Sequence, residues 1–343
     1  MAKSQLQLAL ETYRARLLSF DSRVLAATSA AYAPIKAALL QQIDELSALQ
    51  AANSNLTGGE FWRLARAQEL LAQVEAEMTR LSGPLTNIVG SAQSIVVQAA
   101  GDQAKTLAGL SADTAAKAAE VRSAWNTLPT SAVNDLIGRL SDGSPLKAWI
   151  DQFGVDTSAK LQEAVTTGLA LGTHPMVIAA NLAQATDVAE TRLQAFARTS
   201  MLDAYRSSSL RSYSEQSDIL SGWAWSSAQD DSVCLQCLSM DGEVFGLDVE
   251  FFPAHISCRC ASLPILKGVD SQVRQSGSDW FDGLSADQQN AMLPKWAQAD
   301  FAAGKIQLSD FAHLQRDNQW GDRYQQATQA QARANAASRE DGA

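Results

Sequence analysis

Four cysteines and one histidine crowd into the stretch from 234 to 260, and no other cysteine occurs in the chain. They fall as Cys234-x2-Cys237 and, after a turn-rich interval, Cys258-x-Cys260, with His255 three residues before Cys258. Two ligand pairs on separate knuckles suit a tetrahedral zinc site, which takes thiolate sulfur and imidazole nitrogen. Five donors compete for four positions. Cys234 and Cys237 form the first knuckle; His255 and Cys258, at i and i+3, can converge from one turn; Cys260 can replace either of the latter. A closed, thiolate-rich site leaves no open position for substrate, so a structural zinc is the leading reading. A catalytic zinc would draw its acid from Asp230 or Asp231. A deaminase-type order needs His-x-Glu before Pro-Cys-x-x-Cys, and here the histidine follows without that glutamate. Four buried or oxidised cysteines without metal are the bland alternative.

A small sheet must hold these residues. The run from Ile219 to Ser226 alternates large and small residues, which predicts a strand with Trp223 and Trp225 on one face, packing or bracing the approach to the first knuckle. Asp241-Gly242 is a hairpin signal between the two halves. Residues 259–265 are expected to return as a short strand, bringing the knuckles together.

The rest of the chain reads as helix. Leu6, Leu10, Tyr13, Leu17, Phe20 and Val24 recur at spacings of four and three, a heptad seam over residues 4–33. Pro34 interrupts it, and Leu39, Ile43 and Leu46 resume it up to Asn53-Ser54-Asn55. Thr57 to Glu60 reads as a capping box. Behind it Phe61, Leu64, Leu71, Val74, Met78 and Leu81 form a stripe ended by Gly83-Pro84, and a further helical stretch covers 85–126. Short helices broken at Gly143, Pro145 and Gly154 are expected next, then a helix over 161–171 stopped by Gly172-Thr173-His174-Pro175. A short helix over 176–183 and a long one over 187–216 follow, the latter with Leu193, Phe196, Met201, Ala204 and Tyr205 facing the core. After Gly268 come short helices near Trp280 and Ser309, and a frayed or disordered end from 325. The fold class is mainly α with a small α+β core. Its parts are a helical bundle or arm (1–130), a Cys/His-stapled domain (131–268), and short helices with a flexible tail (269–343).

Composition narrows the function. The net charge is −10 over 343 residues, and mean hydropathy is −0.12. An acidic chain lacks the basic stripe that phosphate binding needs; Arg192, Arg198, Arg206 and Arg211 point to different sides of their helix. DNA contact is therefore not indicated by charge. No apolar run is long enough to span a membrane. The start lacks an apolar signal core, which leads us to expect synthesis in the cytoplasm, where clustered thiols more often bind metal than pair. His174 reads as a helix-boundary residue, His313 as a residue of a late helix, and Trp280 and Trp320 as core aromatics or partner anchors. No nucleophile elbow, phosphate loop or His-Glu-x-x-His is present.

The order of features resembles the Mu F-like head-morphogenesis family of tailed bacteriophages, the minor head (minor capsid) proteins. The residues that carry the resemblance are Gly172-Thr173-His174-Pro175, Ala197-Arg198-Thr199, Gly222 to Trp225, Asp230 to Cys237, Asp241-Gly242 and Pro253-Ala254-His255-Ile256-Ser257-Cys258-Arg259-Cys260. It spans about 160–265. Ser200 stands where the family often has Glu, and Leu235 where Pro is common. The resemblance implies a virion component of the head, near the portal vertex, incorporated during procapsid assembly. The implied partner is the portal protein, with scaffold or major capsid protein as further partners, and a role in genome packaging or ejection. A zinc-dependent or toxin-like enzyme carried in the virion and an internal DNA-binding protein remain as alternatives at this point.

Overall fold

The structure is a computed structural model that describes residues 4–53, 55–56, 60, 65–140, 143–170, 175–230, 232–251, 255, 258–269, 276–315 and 323–341. The expected capping box at Thr57, the residues Phe61 and Leu64, the break at 172–174 with His174, Asp231, Pro253-Ala254 and Trp320 lie outside these. The described chain is mainly helical with small antiparallel sheets, as its periodicities predict. None of the described helices is long and apolar enough to cross a membrane.

Among the described residues seven helices come first: α1 (Gln5–Ala52), α2 (Ala65–Arg80), α3 (Ser82–Leu110), α4 (Ala115–Ala124), α5 (Thr130–Asn134), α6 (Leu146–Ala170) and α7 (Pro175–Ser214). Two compact units are formed, one from residues 1–18, 96–136 and 202–343, the other from 19–95 and 137–201. Three of the four divisions fall within α1, α3 and α7, and the fourth, after residue 136, between α5 and α6.

The described part of the second unit is helical apart from turns and a short stretch around an isolated bridge between Arg139 and Pro145. In α1 the seam buries Val24, Ile35 and Leu39, but Asp21, Thr28 and Gln42 are buried in the same periodic row. Thr28 turns its hydroxyl onto the Val24 carbonyl (2.8 Å), and Asp21 meets Arg198 of α7 (2.7 Å). Pro34 does not interrupt α1, which runs through it. An internal proline costs about 3 kcal/mol through its missing N–H and its ring. Contacts on both sides offset this: Tyr32, fully buried, donates to the Thr186 carbonyl (3.3 Å), and Lys36 reaches Asp187 (2.6 Å) and Glu190 (3.0 Å). Gly154 likewise lies inside α6 rather than ending it. A Cβ there would stand 3.4 Å from the Met78 carbonyl, so the missing side chain permits α2 and α6 to approach closely. The two helices expected over 176–183 and 187–216 are one, α7. No Gly or Pro separates them, and Thr186 satisfies its hydroxyl on the Ala183 carbonyl (2.7 Å) within the helix.

The first unit holds the sheet. Strand β1 (Leu220–Ser226) is central, flanked by β2 (Val244–Phe245) and β3 (Ala261–Leu266), both antiparallel to it. Between β1 and β2 lies the short helix α8 (Leu235–Ser239). Pro264 sits in β3, which as an edge strand can spare the N–H that proline lacks. Trp223 and Trp225 do share a buried face of β1. Both stack on Phe251, with centroids 5.4 and 4.3 Å apart, and Trp223 also stacks on Phe245 (4.5 Å).

The end of the chain is more ordered than its composition suggests. Three helices, α9 (Gly277–Asp282), α10 (Ala286–Met292) and α11 (Lys295–Ala302), precede a 3-10 turn at Leu308–Phe311. Ser276 and Ser285 cap α9 and α10 through reciprocal boxes with Asp279 and Gln288. A hairpin of β4 (Ala312–Gln315) and β5 (Arg323–Gln326) follows, so His313 belongs to a strand, not a helix. The Gln/Ala-rich end forms α12 (Gln329–Asp341), which buries Ala332 and Ala336.

Candidate metal centre

Cys234 has extended backbone (φ −87°, ψ 156°) and caps α8, its Sγ accepting from the Cys237 N–H at 3.4 Å. A Cys-x-x-Cys spacing thus puts the first sulfur at the cap and the second one turn in, both at the same end of the helix. On the other side, the Cys258 N–H donates to the His255 carbonyl (3.1 Å), closing the turn expected from their spacing. All four cysteines are free of disulfides.

The donors gather into two triads that share Cys237. In one, Cys234, Cys237 and His255 bring their ligand atoms within 4.8 Å of one another; in the other, Cys237, Cys258 and Cys260 do so. His255 and Cys258 therefore enter the cluster through different triads. Cys237, Cys258 and Cys260 are buried, Cys234 is half-buried and His255 exposed.

Geometry tests the fit to zinc. With Zn–S near 2.3 Å and Zn–N near 2.0 Å, tetrahedral edges are about 3.8 Å for S···S and about 3.5 Å for N···S. The Cys237–Cys258 sulfurs are 3.9 Å apart, and Cys237 Sγ lies 3.4 Å from His255 Nε2. These edges fit.

Charge points the same way. The hydrogen bond with Cys237, aided by His255 and opposed by burial, lowers the Cys234 thiol to about 5. Contacts with Cys237 and Cys260 lower Cys258. Cys237 is held high by Cys234, Cys258 and Cys260, and burial pushes Cys260 well up. Two thiols ionise readily only because two neighbours do not. A divalent cation is what lets such a cluster ionise together.

Several residues that brace the cluster gave no signal in the sequence. Arg259, between two cysteines, forks onto Asp230 at 2.6 and 2.7 Å. Burial works to raise the Asp230 pKa, but hydrogen bonds from Arg259 and the Ser232 N–H prevail and hold it below the usual range. Arg206 of α7 donates to the Cys260 carbonyl (2.8 Å) and to the Cys258 carbonyl. Arg14 of α1 donates to the Ala228 (2.9 Å) and Ser227 (2.5 Å) carbonyls before the first knuckle. Asp241 was read as a turn residue. Its turn does exist between the two halves, with Gly242 at φ +94°, but it joins helix α8 to β2 rather than two strands of a hairpin. Its carboxylate accepts from the Ser227 N–H (2.5 Å) and the Gln229 amide (3.3 Å), holding Gln229 at φ +48°.

Residues 159–263 match the family described as Phage Mu protein F like protein, consistent with a Mu F-like phage head-morphogenesis protein. The match covers a little under a third of the chain and includes α7, β1, β2, the start of β3 and all five Cys/His donors. No curated protein and no solved structure matches the chain.

Proposed function

We propose that this chain is a bacteriophage minor head protein whose Cys/His cluster is a structural zinc staple. One observation carries the reading: the five donors gather into two triads that share Cys237, with the Cys237–Cys258 and Cys237–His255 edges at lengths that suit zinc, inside the segment that matches the Mu F-like family. Cys234, Cys237, His255 and either Cys258 or Cys260 hold the ion, with the fifth donor alongside. The zinc supplies a cross-link between α8 and the strand that returns as β3, in place of a larger core. In this reading the protein acts in procapsid assembly, sits in the virion head at the portal vertex, and has the portal protein as its partner, with scaffold or major capsid protein as further contacts. A part in genome packaging or ejection belongs to the same proposal. Division into an arm (1–130), a stapled domain (131–268) and a tail (269–343) is proposed as the functional partition.

An assembly role is favoured over catalysis because Asp230, an acid that a catalytic zinc could have used, is engaged by both terminal (Nη) nitrogens of Arg259. The test begins with metal content of the purified protein and thiol titration before and after chelation. About one zinc per chain, with thiols released by the chelator, is expected; no metal and no free thiols would refute the staple. Co-purification with the portal protein from cells assembling procapsids then tests the partner, and its absence there would refute the portal assignment.

A further inference from the structure

Arg206 is the most deeply buried guanidinium near the cluster, its side chain 2% exposed. Its Nε donates to the Cys260 carbonyl (2.8 Å), one Nη to the Cys258 carbonyl, and the other Nη to Asp203 (2.9 Å). Its plane lies over Phe251, 4.9 Å from the ring centroid, and Phe251 in turn stacks on Trp223 and Trp225. The same helix supports the strand further along, where Tyr213 donates to the Ser262 carbonyl (3.2 Å).

We infer that Arg206 is a positioning residue of the cation site, which aims both Cys258 and Cys260 at Cys237 and balances the site's negative charge. The inference rests on the zinc-staple reading. Cys258 and Cys260 lead directly into β3, and one guanidinium takes both of their carbonyls, an arrangement in which, as in a strand, residues two apart share the direction of carbonyl and side chain. Clamping the carbonyls of Cys258 and Cys260 therefore sets the direction of both thiols, and Arg259 between them is sent to the opposite face, where it meets Asp230. Three thiolates and an imidazole around a divalent cation carry a net charge of about −1, which is costly to bury without a counter-charge. Arg206, although it also pairs with Asp203 (2.9 Å), holds a guanidinium at a fixed place beside that charge. Lysine could supply the charge but not the fork that spans two carbonyls.

The experiment is cobalt titration of the purified, metal-stripped full chain as wild type, Arg206→Met and Arg206→Lys. Affinity is read by chelator competition, and thiolate number by the intensity of sulfur-to-cobalt charge transfer. Outer-shell partners of metal ligands typically change affinity about 10–100-fold, and a loss of that size is expected for Arg206→Met, with weaker charge transfer per cobalt. Arg206→Lys should regain part of the affinity but not the charge-transfer intensity. Should the Met variant fail to fold by circular dichroism, the Lys variant decides through its spectrum. Wild-type affinity and spectrum in a folded Met variant, or a wild-type spectrum in the Lys variant, would overturn the role of Arg206 while leaving the staple intact. A wild-type chain that binds no cobalt would overturn the staple, and this inference with it.

Discussion

Arg259 and Asp230 form a two-pronged ion pair across the two knuckles, with Nη–Oδ distances of 2.6 and 2.7 Å. Asp230 lies four residues before the first cysteine and Arg259 lies between the last two, so the pair links the same two segments that the metal would. The ion pair is placed to act in parallel with the proposed staple.

The pair is partly exposed, with side chains 18% and 35% accessible, so its contribution is modest. A double-mutant cycle with Arg259→Ala and Asp230→Ala should give a coupling of about 1 kcal/mol in thermal unfolding, falling as salt rises. A coupling indistinguishable from zero at low salt would mean the pair is not a strap.

Because Cys237 belongs to both triads and His255 to one, the donors are not equivalent. Cys237→Ser should abolish stoichiometric zinc binding, whereas His255→Ala, at the exposed edge, should leave binding measurable but weaker. Zinc per chain after dialysis against a weak chelator reads the difference. Equal losses would contradict the shared-vertex arrangement.

Asp21 and Arg198 make a different kind of pair. Asp21 is 4% exposed and Arg198 30%. Removing the arginine leaves a buried carboxylate without its counter-ion. Arg198→Met should cost about 3 kcal/mol, and Asp21→Leu with Arg198→Met should recover most of it. Chemical denaturation of the single and double variants distinguishes this from simple loss of packing, for which the double would be the worse.

Gly277 opens α9, where helix propensity alone says that alanine gains roughly 0.5–1 kcal/mol. The packing says otherwise. A Cβ there would lie 2.6 Å from the Leu238 carbonyl of α8 and 2.7 Å from Asp241 Cβ. Gly277→Ala should destabilise by about 1–3 kcal/mol through overpacking beside the first knuckle. A raised thermal midpoint would show that α9 can move off α8 freely.

These comparisons mark what the sequence could reveal. Period-two and period-seven patterns located β1 and the apolar half of the α1 seam, and cysteine spacing located the cluster, because each is a local repeat; β3 was expected only as the return that brings the knuckles together. Asp21, Thr28 and Gln42 escaped because polar residues in a seam look like gaps in it; Asp21 meets its partner, Arg198, far along the chain. The same holds for Arg206, whose neighbours at Cys258 and Cys260 are more than fifty residues away. Breaks at Pro34 and Gly154 were overread, since packing on both sides can outweigh a local cost. The β4–β5 hairpin had no apolar alternation to announce it: Gln315, Arg323, Gln325 and Gln326 make it polar.

Burial of phenols sets how the protein responds to alkali. Tyr32 is pushed up to about 12, chiefly by burial and then by Glu190. Burial likewise takes Tyr205 to about 12 and raises Tyr213 further. In an unfolded chain each would ionise near pH 10. Between about pH 10 and 12 the unfolded chain has released protons that the folded chain still holds, so folding stability falls as pH rises through that window. Lys36 acts in the same direction: hydrogen bonds to Asp187 and Glu190 raise it to about 12, and its ion pairs are lost as pH climbs through that value. A spectrophotometric titration should therefore show Tyr32, Tyr205 and Tyr213 ionising late, in step with the loss of helical circular dichroism. Ionisation of all five tyrosines near pH 10 with the helical signal intact would contradict their burial.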